Sequence, residues 1–165
     1  MIRRSTKLCG HAFIAGVFAA IVMLASAPSH AQSGPFAALI GSWSGTGTIK
    51  LAEGGSERLK CKASYDSVNA NTVQLRLLCA SDSYKFDLLG QMTANGSTIT
   101  GSWTESVRNV AGSISGKITG GNISVTTSGA LTAGLSLSVT GGKQSVTLHS
   151  QGTSITSVSI TMTRA

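Results

Sequence analysis

Histidine, aromatic residues, proline and charge are all scarce in this chain of 165 residues, and each shortage removes a class of function. Of three histidines, only His149 lies beyond residue 30. With one imidazole and few carboxylates, the sequence offers no convergent set of groups for catalysis and no soft metal site. No glycine-rich run matches a phosphate-binding loop. We therefore expect neither an enzyme nor a bound cofactor.

The low charge also limits the choice of partner. Charged residues are 12% of the chain. From residue 32 onward there are ten Lys and Arg and six Asp and Glu, which gives a net charge of +4. That excess is too small to indicate nucleic-acid binding. Pro35 is the only proline after residue 31, and no stretch has the composition of an interdomain linker. Residues 32–165 are thus expected to form one domain.

The N-terminus has the composition of a signal peptide. Three positive charges within the first seven residues precede an apolar stretch from Ala12 to Ala25, and small residues end it at Ser29-His30-Ala31. We predict cleavage after residue 31 and a periplasmic or secreted mature protein. The alternative, a retained membrane helix, is disfavoured because the apolar run is shorter than the ~20 residues needed to span a bilayer.

From Ile40 onward, apolar residues recur at every second position, which is the period of a strand with one buried face. The chain divides in this way into about ten strands separated by turn residues. The second half, from Val110, follows the same pattern more weakly. Positions on the shared face include Trp43, Ile49, Leu59, Cys61, Tyr65, Val73, Leu77, Cys79, Tyr84, Phe86, Met92, Ile99, Trp103, Ile118, Ile123, Leu137, Val146, Ile160 and Met162.

Three glycine-containing dipeptides predict two-residue hairpin turns, which fix the pairing of neighbouring strands. They are Asn95-Gly96, Gly120-Gly121 and Gly142-Lys143. Each turn pairs apolar residues on one face, as expected of a meander. The predicted pairs are Met92 with Ile99, Gly90 with Gly101, Leu88 with Trp103, Ile118 with Ile123, Gly116 with Val125, Val139 with Val146, and Leu137 with Leu148.

Ten strands with one apolar face must close into a barrel or fold over as a sandwich. Short sequential hairpins and an even strand number favour a single all-β, antiparallel up-and-down barrel. A β-solenoid is less consistent because the strand spacing varies. A transmembrane barrel would require aromatic girdles, whereas Phe, Trp and Tyr make up only 5% of the chain.

The second hairpin places two cysteines opposite each other. Centring its turn on Ala70 pairs Cys61 with Cys79, and Tyr65 with Leu75. In an exported protein, cysteines that face each other across adjacent strands are expected to form a disulfide. No CxxC redox motif is present. The predicted bond is therefore structural.

Gly41-Ser42-Trp43, at the start of the first strand, resembles the opening of the calycin superfamily, which includes lipocalins, fatty-acid-binding proteins and avidins. In that superfamily, a Gly-x-Trp motif begins strand one, and a basic residue of the last strand lies across the indole. The resemblance implies a calycin-like barrel in which Arg164 covers Trp43 through a cation–π contact. The second lipocalin motif and an avidin-type biotin site are missing, so the resemblance does not identify a ligand.

The inward face suggests where a ligand would bind. Ten strands enclose more space than side chains alone can fill, and glycines on this face either widen the interior or let the strands bend. We predict an apolar cavity with Glu105, the one acid of inward parity, near its mouth; a solvated strand end is the other interpretation of this residue. The candidate ligand-binding residues are Trp103, Tyr84, Phe86, Tyr65 and Glu105.

Two functions are compatible with these features. The first is an exported, non-enzymatic barrel that binds a small apolar molecule inside. The second is an envelope or inhibitor-type protein that acts through its outer surface on a macromolecular partner. A candidate outer surface for an anionic envelope component is basic and consists of Arg58, Lys60, Lys62 and Arg76. The same charges are also typical of a solubilised sheet surface.

Overall fold

The computed structural model describes residues 34–165, so the predicted signal peptide and its cleavage site lie outside the described residues. Ten β-strands make up most of this part of the chain. Within it, no helix is long and apolar enough to cross a membrane. The strands are β1 Gly41–Leu51, β2 Ser56–Asn69, β3 Thr72–Ala80, β4 Lys85–Asn95, β5 Thr98–Glu105, β6 Val110–Thr119, β7 Asn122–Gly129, β8 Ala133–Thr140, β9 Lys143–Ser150 and β10 Ile155–Arg164.

Each strand pairs antiparallel with the next along the chain, and β1 pairs antiparallel with β10. The sheet is therefore a closed barrel, as the sequence predicts. Trp43 lies opposite Arg164, and Leu51 lies opposite Ile155 at the other end of this last pairing. The closure leaves the sheet with no edge strand.

The apolar face of every strand points into the barrel. Ile49, Leu59 and Ile99 are completely buried, while the Ser, Thr and Lys residues between apolar positions are mostly exposed. Because successive side chains of a strand point to opposite faces, this arrangement follows directly from the period-two pattern.

The β2–β3 pairing is the one that the sequence predicts, and Cys61 lies directly opposite Cys79. The two residues form a disulfide with their Cα atoms 4.2 Å apart. The predicted structural disulfide is confirmed.

Two of the three predicted hairpin registers are wrong by two residues. The turns lie at Gly96-Ser97 and Gly141-Gly142, where glycines adopt positive φ. Met92 therefore pairs with Gly101, and Val139 with Gln144. A shift of two residues preserves the inward face, so the predicted burial is unaffected. The remaining pairs at these hairpins are Gly90–Trp103, Leu88–Glu105, Leu137–Val146 and Leu135–Leu148, and the Gly120-Gly121 register is as predicted.

The inward glycines mostly mark places where strands come close together. A Cβ at Gly45, Gly101 or Gly116 would lie within 3.0 Å of backbone atoms of the neighbouring strand. Of the two roles considered for these glycines, the structure thus favours bending of the strands. Gly90 differs, because a Cβ there would meet no atom closer than 3.8 Å.

The two ends of the barrel are different. At one end the hairpins have two-residue turns, and the segment before β1 packs across the opening with Phe36 and Leu39 buried. At the other end, five loops of three or four residues connect the strands. The first is called the closed end below, and the second the mouth.

We expect the disulfide to contribute substantially to stability. The Cys61→Ala/Cys79→Ala variant should melt about 10 °C below the parent, because a bond with a sequence separation of 18 contributes about 3 kcal/mol. Thermal unfolding followed by circular dichroism measures the difference. Two alkylatable thiols in the denatured, unreduced parent would contradict the bond itself.

Candidate functional site

A cavity of about 390 Å³ occupies the interior of the barrel and reaches the surface at the mouth, where the exposed residues Thr153 and Ser154 belong to its wall. Its size lies in the roughly 300–1,000 Å³ range of small-molecule sites. Apolar side chains from β2 to β10 form most of the wall. They include Leu59, Leu75, Leu77, Phe86, Leu88, Met92, Trp103, Val110, Ile114, Ile123, Val125, Leu135, Leu137, Val146, Leu148, Val158, Ile160 and Met162.

Burial shows which part of the interior is hollow. Near the closed end, Trp43, Tyr65, Val73 and Met162 are almost inaccessible. Towards the mouth, inward side chains such as Phe86 remain partly accessible because they border the cavity. Inward and outward residues alternate in the same way at both ends. The two ends therefore differ in how closely their inward side chains pack, and not in the sequence pattern.

Trp103 is one of the residues of the cavity wall. Its indole rests against β6 at Gly112, where a Cβ would approach Nε1 to 2.7 Å. Only glycine leaves room for the ring at this position. Trp103 Nε1 is buried and has no hydrogen-bond partner among residues 34–165. The structure therefore places Trp103 on the wall, with an unused donor.

Three side chains are stacked at the mouth. The rings of Tyr84 and Phe86 are nearly parallel, with centroids 6.3 Å apart. The Arg108 guanidinium lies 5.0 Å from the centroid of Phe86, and its Nη1 also donates to the Lys85 carbonyl. Arg108, which the sequence analysis did not single out, thus borders the entrance of the cavity.

Glu105 lies at the mouth but is neither solvated nor free. It is 5% exposed, and its carboxylate accepts hydrogen bonds from the backbone N–H groups of Asp87, Val107 and Arg108 at 2.9–3.1 Å. Arg108 Nη1 lies 3.3 Å from the same carboxylate. Burial alone would raise the pKa of Glu105, but these hydrogen bonds outweigh it and lower the pKa. The carboxylate therefore stays ionised and holds the β5–β6 loop.

A polar pair lies inside the barrel near the closed end. Gln144 Nε2 donates to the Tyr65 hydroxyl at 2.9 Å, and Gln144 is 0% exposed. Gln144 Oε1 has no partner in the described part of the chain. Burial strongly raises the pKa of Tyr65, although the hydrogen bond from Gln144 opposes the shift. The phenol is therefore neutral.

Gln144 is an interior residue that was not among those predicted from alternation. A signal was present, because Gln144 has the same parity as Val146 and Leu148. The signal was missed because the predicted turn, Gly142-Lys143, placed Gln144 next to a turn, where polar residues are common.

Trp43 and Arg164 lie together at the closed end. The guanidinium of Arg164 is 4.6 Å from the centroid of the Trp43 ring and donates to the Ala38 and Ile40 carbonyls. Trp43 Nε1 donates to the Leu39 carbonyl at 2.6 Å. These contacts fix the segment before β1 across the barrel end. Both residues lie at the closed end of the barrel, away from the mouth.

The outer basic residues lie where their parity predicts. Arg58, Lys60 and Lys62 are exposed along β2. Arg76 on β3 is also exposed, but it forms an ion pair with Asp87 at 3.1 Å. Three cations of this face are thus without an ion-pair partner among residues 34–165.

Comparisons with known proteins identify the fold but no family. The sequence matches no described protein family and no curated protein. The structure resembles that of Rv2717c from M. tuberculosis, with 12% identity, a TM-score of 0.61, and coverage of 78% of this chain and 93% of that one. It also resembles the S-type phycobiliprotein lyase CPES from Guillardia theta, with 13% identity, a TM-score of 0.54, and coverage of 79% and 90%. Both are antiparallel β-barrels, consistent with a calycin-like fold.

We expect Glu105→Gln to destabilise the protein by about 2 kcal/mol at pH 7, because an amide leaves some of the loop N–H groups unpaired. The folded-state pKa of Glu105 is lowered from 4.5, so its stabilisation is present above that pH and is lost as the pH falls through the folded-state pKa. Urea unfolding of both proteins at pH 7 and pH 3 should therefore show the difference narrowing in acid. Glu53→Gln, at an exposed turn, is the control. A difference independent of pH would contradict the assigned role.

Proposed function

We propose that the protein is exported and binds a small, largely apolar molecule inside the barrel without transforming it. The observation that carries this proposal is the apolar cavity of about 390 Å³ with an entrance at the mouth. An apolar surface of this extent, shielded from bulk water, favours an apolar occupant. The disulfide between Cys61 and Cys79 supports the proposed export, because such bonds persist in oxidising compartments.

The state of Glu105 argues against a catalytic role for the cavity. A general base needs a lone pair free to accept a proton and a pKa close to the working pH. The Glu105 carboxylate instead accepts three backbone N–H bonds, and its pKa is lowered. At the mouth, Glu105 is thus held in an ion pair with Arg108 and is not poised to act as an acid or base.

Gly90 allows a direct test of the interior. It lies on β4 between Leu75 and Trp103, where a Cβ has ordinary contacts and enters the cavity wall. Gly90→Val should weaken binding of the neutral fluorescent probe N-phenyl-1-naphthylamine at least tenfold, because the added methyl groups occupy the cavity. Stability should not fall, since β-branched residues are favourable in strands. Fluorescence titration and thermal unfolding measure the two effects.

Gly134→Val is the matched control. Gly134 lies on the exposed face of β8, and a Cβ there meets nothing within 4 Å. The control variant should bind the probe as the parent does. Equal binding by the Gly90 variant, or no binding by the parent, would overturn the proposal.

A second candidate function rests on the outer surface. We propose that Arg58, Lys60 and Lys62 dock onto an anionic envelope polymer. Their exposed, unpaired positions along one strand support the idea. Neighbouring outward residues on β1, such as Ser44 and Thr46, are uncharged and leave the cations accessible. Attraction of this kind falls steeply with ionic strength.

Replacing these three residues with glutamine should lower the salt concentration that elutes the protein from heparin. The control replaces Lys85, Lys117 and Lys143, which are exposed on other strands, and makes the same change in net charge. A larger shift for the first variant supports a local site. Equal shifts in the eluting salt concentration would show that Arg58, Lys60 and Lys62 act only as ordinary surface charge.

A further inference from the structure

Three polar side chains at the mouth, those of Glu105, Thr127 and Ser150, form hydrogen bonds with nearby groups of the protein. Glu105 holds the β5–β6 loop, and Thr127 Oγ1 donates to the Leu131 carbonyl and accepts from the Ala133 N–H. Ser150 Oγ bonds to residues of the β9–β10 loop. The partners of these three side chains all belong to the protein, so the three are already engaged and are poor candidates for recognising a ligand.

The Tyr65–Gln144 pair differs from these three side chains in that part of its hydrogen-bonding capacity is unused, as is also true of Trp103 Nε1, which is packed against Gly112. Tyr65 Oη accepts from Gln144 Nε2, and the structure gives its own O–H no acceptor within residues 34–165. Gln144 Oε1 is equally without a donor there. Turning the amide over would let Oε1 accept from Tyr65 but would leave the Nε2 donors unpaired. Either arrangement leaves unmet capacity at a buried site.

Of this pair, Tyr65 borders the cavity near its inner end, whereas Gln144 is not one of the wall residues. Met162, which pairs with Gln144 across β9 and β10, is another wall residue. Charge is absent here among the described residues, because the only charged wall residues are Glu105 and Arg108, paired with each other at the mouth. A charged ligand group placed beside Tyr65 would be desolvated without a counter-ion, which is costly.

On these grounds, and resting on the proposed small-molecule function, we propose that the ligand is uncharged and carries a hydrogen-bond acceptor at its inner end. The acceptor oxygen, of the carbonyl or ether type, takes the Tyr65 O–H while the apolar body fills the space towards Trp103. The volume suits a body of two or three fused or linked rings, since a cavity of about 150 Å³ in another protein holds benzene. Tyr65 is thereby assigned as a specificity residue, oriented by Gln144.

Two probes of nearly the same shape test this assignment: 2-acetylnaphthalene, which has a carbonyl oxygen, and 2-isopropenylnaphthalene, which has a methylene group in its place. Displacement of N-phenyl-1-naphthylamine gives the dissociation constant of each. Tyr65→Phe should weaken the ketone about tenfold, the effect of one neutral hydrogen bond, and change the alkene less than twofold. Gln144→Met should retain most of the preference, because Tyr65 keeps its O–H.

Tyr65→Phe leaves the Gln144 amide buried without its partner and could therefore unfold the barrel. In that case Tyr65→Phe/Gln144→Met, which makes the inner end fully apolar, provides the same comparison and should also lose the ketone preference. The inference would be overturned if Tyr65→Phe or the double variant weakened the ketone and the alkene equally, or changed the affinity of neither probe. Binding in the cavity would then still stand. Failure of both probes to bind the parent would instead overturn the proposed function with it.

Discussion

The pairing of β1 with β10 is the constraint on which the rest of the structure depends. Ten strands joined in a ring have a circumference that the backbone sets, because adjacent strands are held at a fixed spacing. Eight strands give an interior that side chains can fill, and ten give a wider one. The cavity thus follows from the strand number and the closure together. The apolar residues inside determine what the cavity favours.

Different contacts order the two ends of the barrel. At the closed end, Trp43 and Arg164 secure the segment that crosses the opening, with Phe36 and Leu39 as its buried contacts. At the mouth, Glu105 and other polar residues order the longer loops from within. Both sets of contacts are made by residues of the barrel itself. They hold the crossing segment and the loops in place around the cavity, and a preformed site lowers the entropic cost of binding.

Much of the fold could be predicted from alternation, because parity is unchanged when a hairpin shifts by two residues. That property explains why the inward face was predicted correctly while the Gly96-Ser97 and Gly141-Gly142 turns were not. Choosing between adjacent two-residue turns depends on which residues adopt positive φ, and neighbouring candidates had similar composition. The wall position of Trp103 followed from parity. The Tyr65–Gln144 contact joins β2 to β9 across the interior, and no local pattern predicts it.

Closure between residues separated by most of the described chain also affects how the molecule must fold. The β1–β10 seam pairs Trp43 with Arg164, which lie at opposite ends of the strand sequence, so its contacts are among the most non-local in the described chain. Such topologies fold slowly, because loop-closure entropy is lost before the pairing compensates it. Until then β1 and β10 expose unpaired N–H and C=O groups to other chains. A partly folded barrel is thus the species most prone to aggregate, and the hairpin joined by the disulfide is the part already held together.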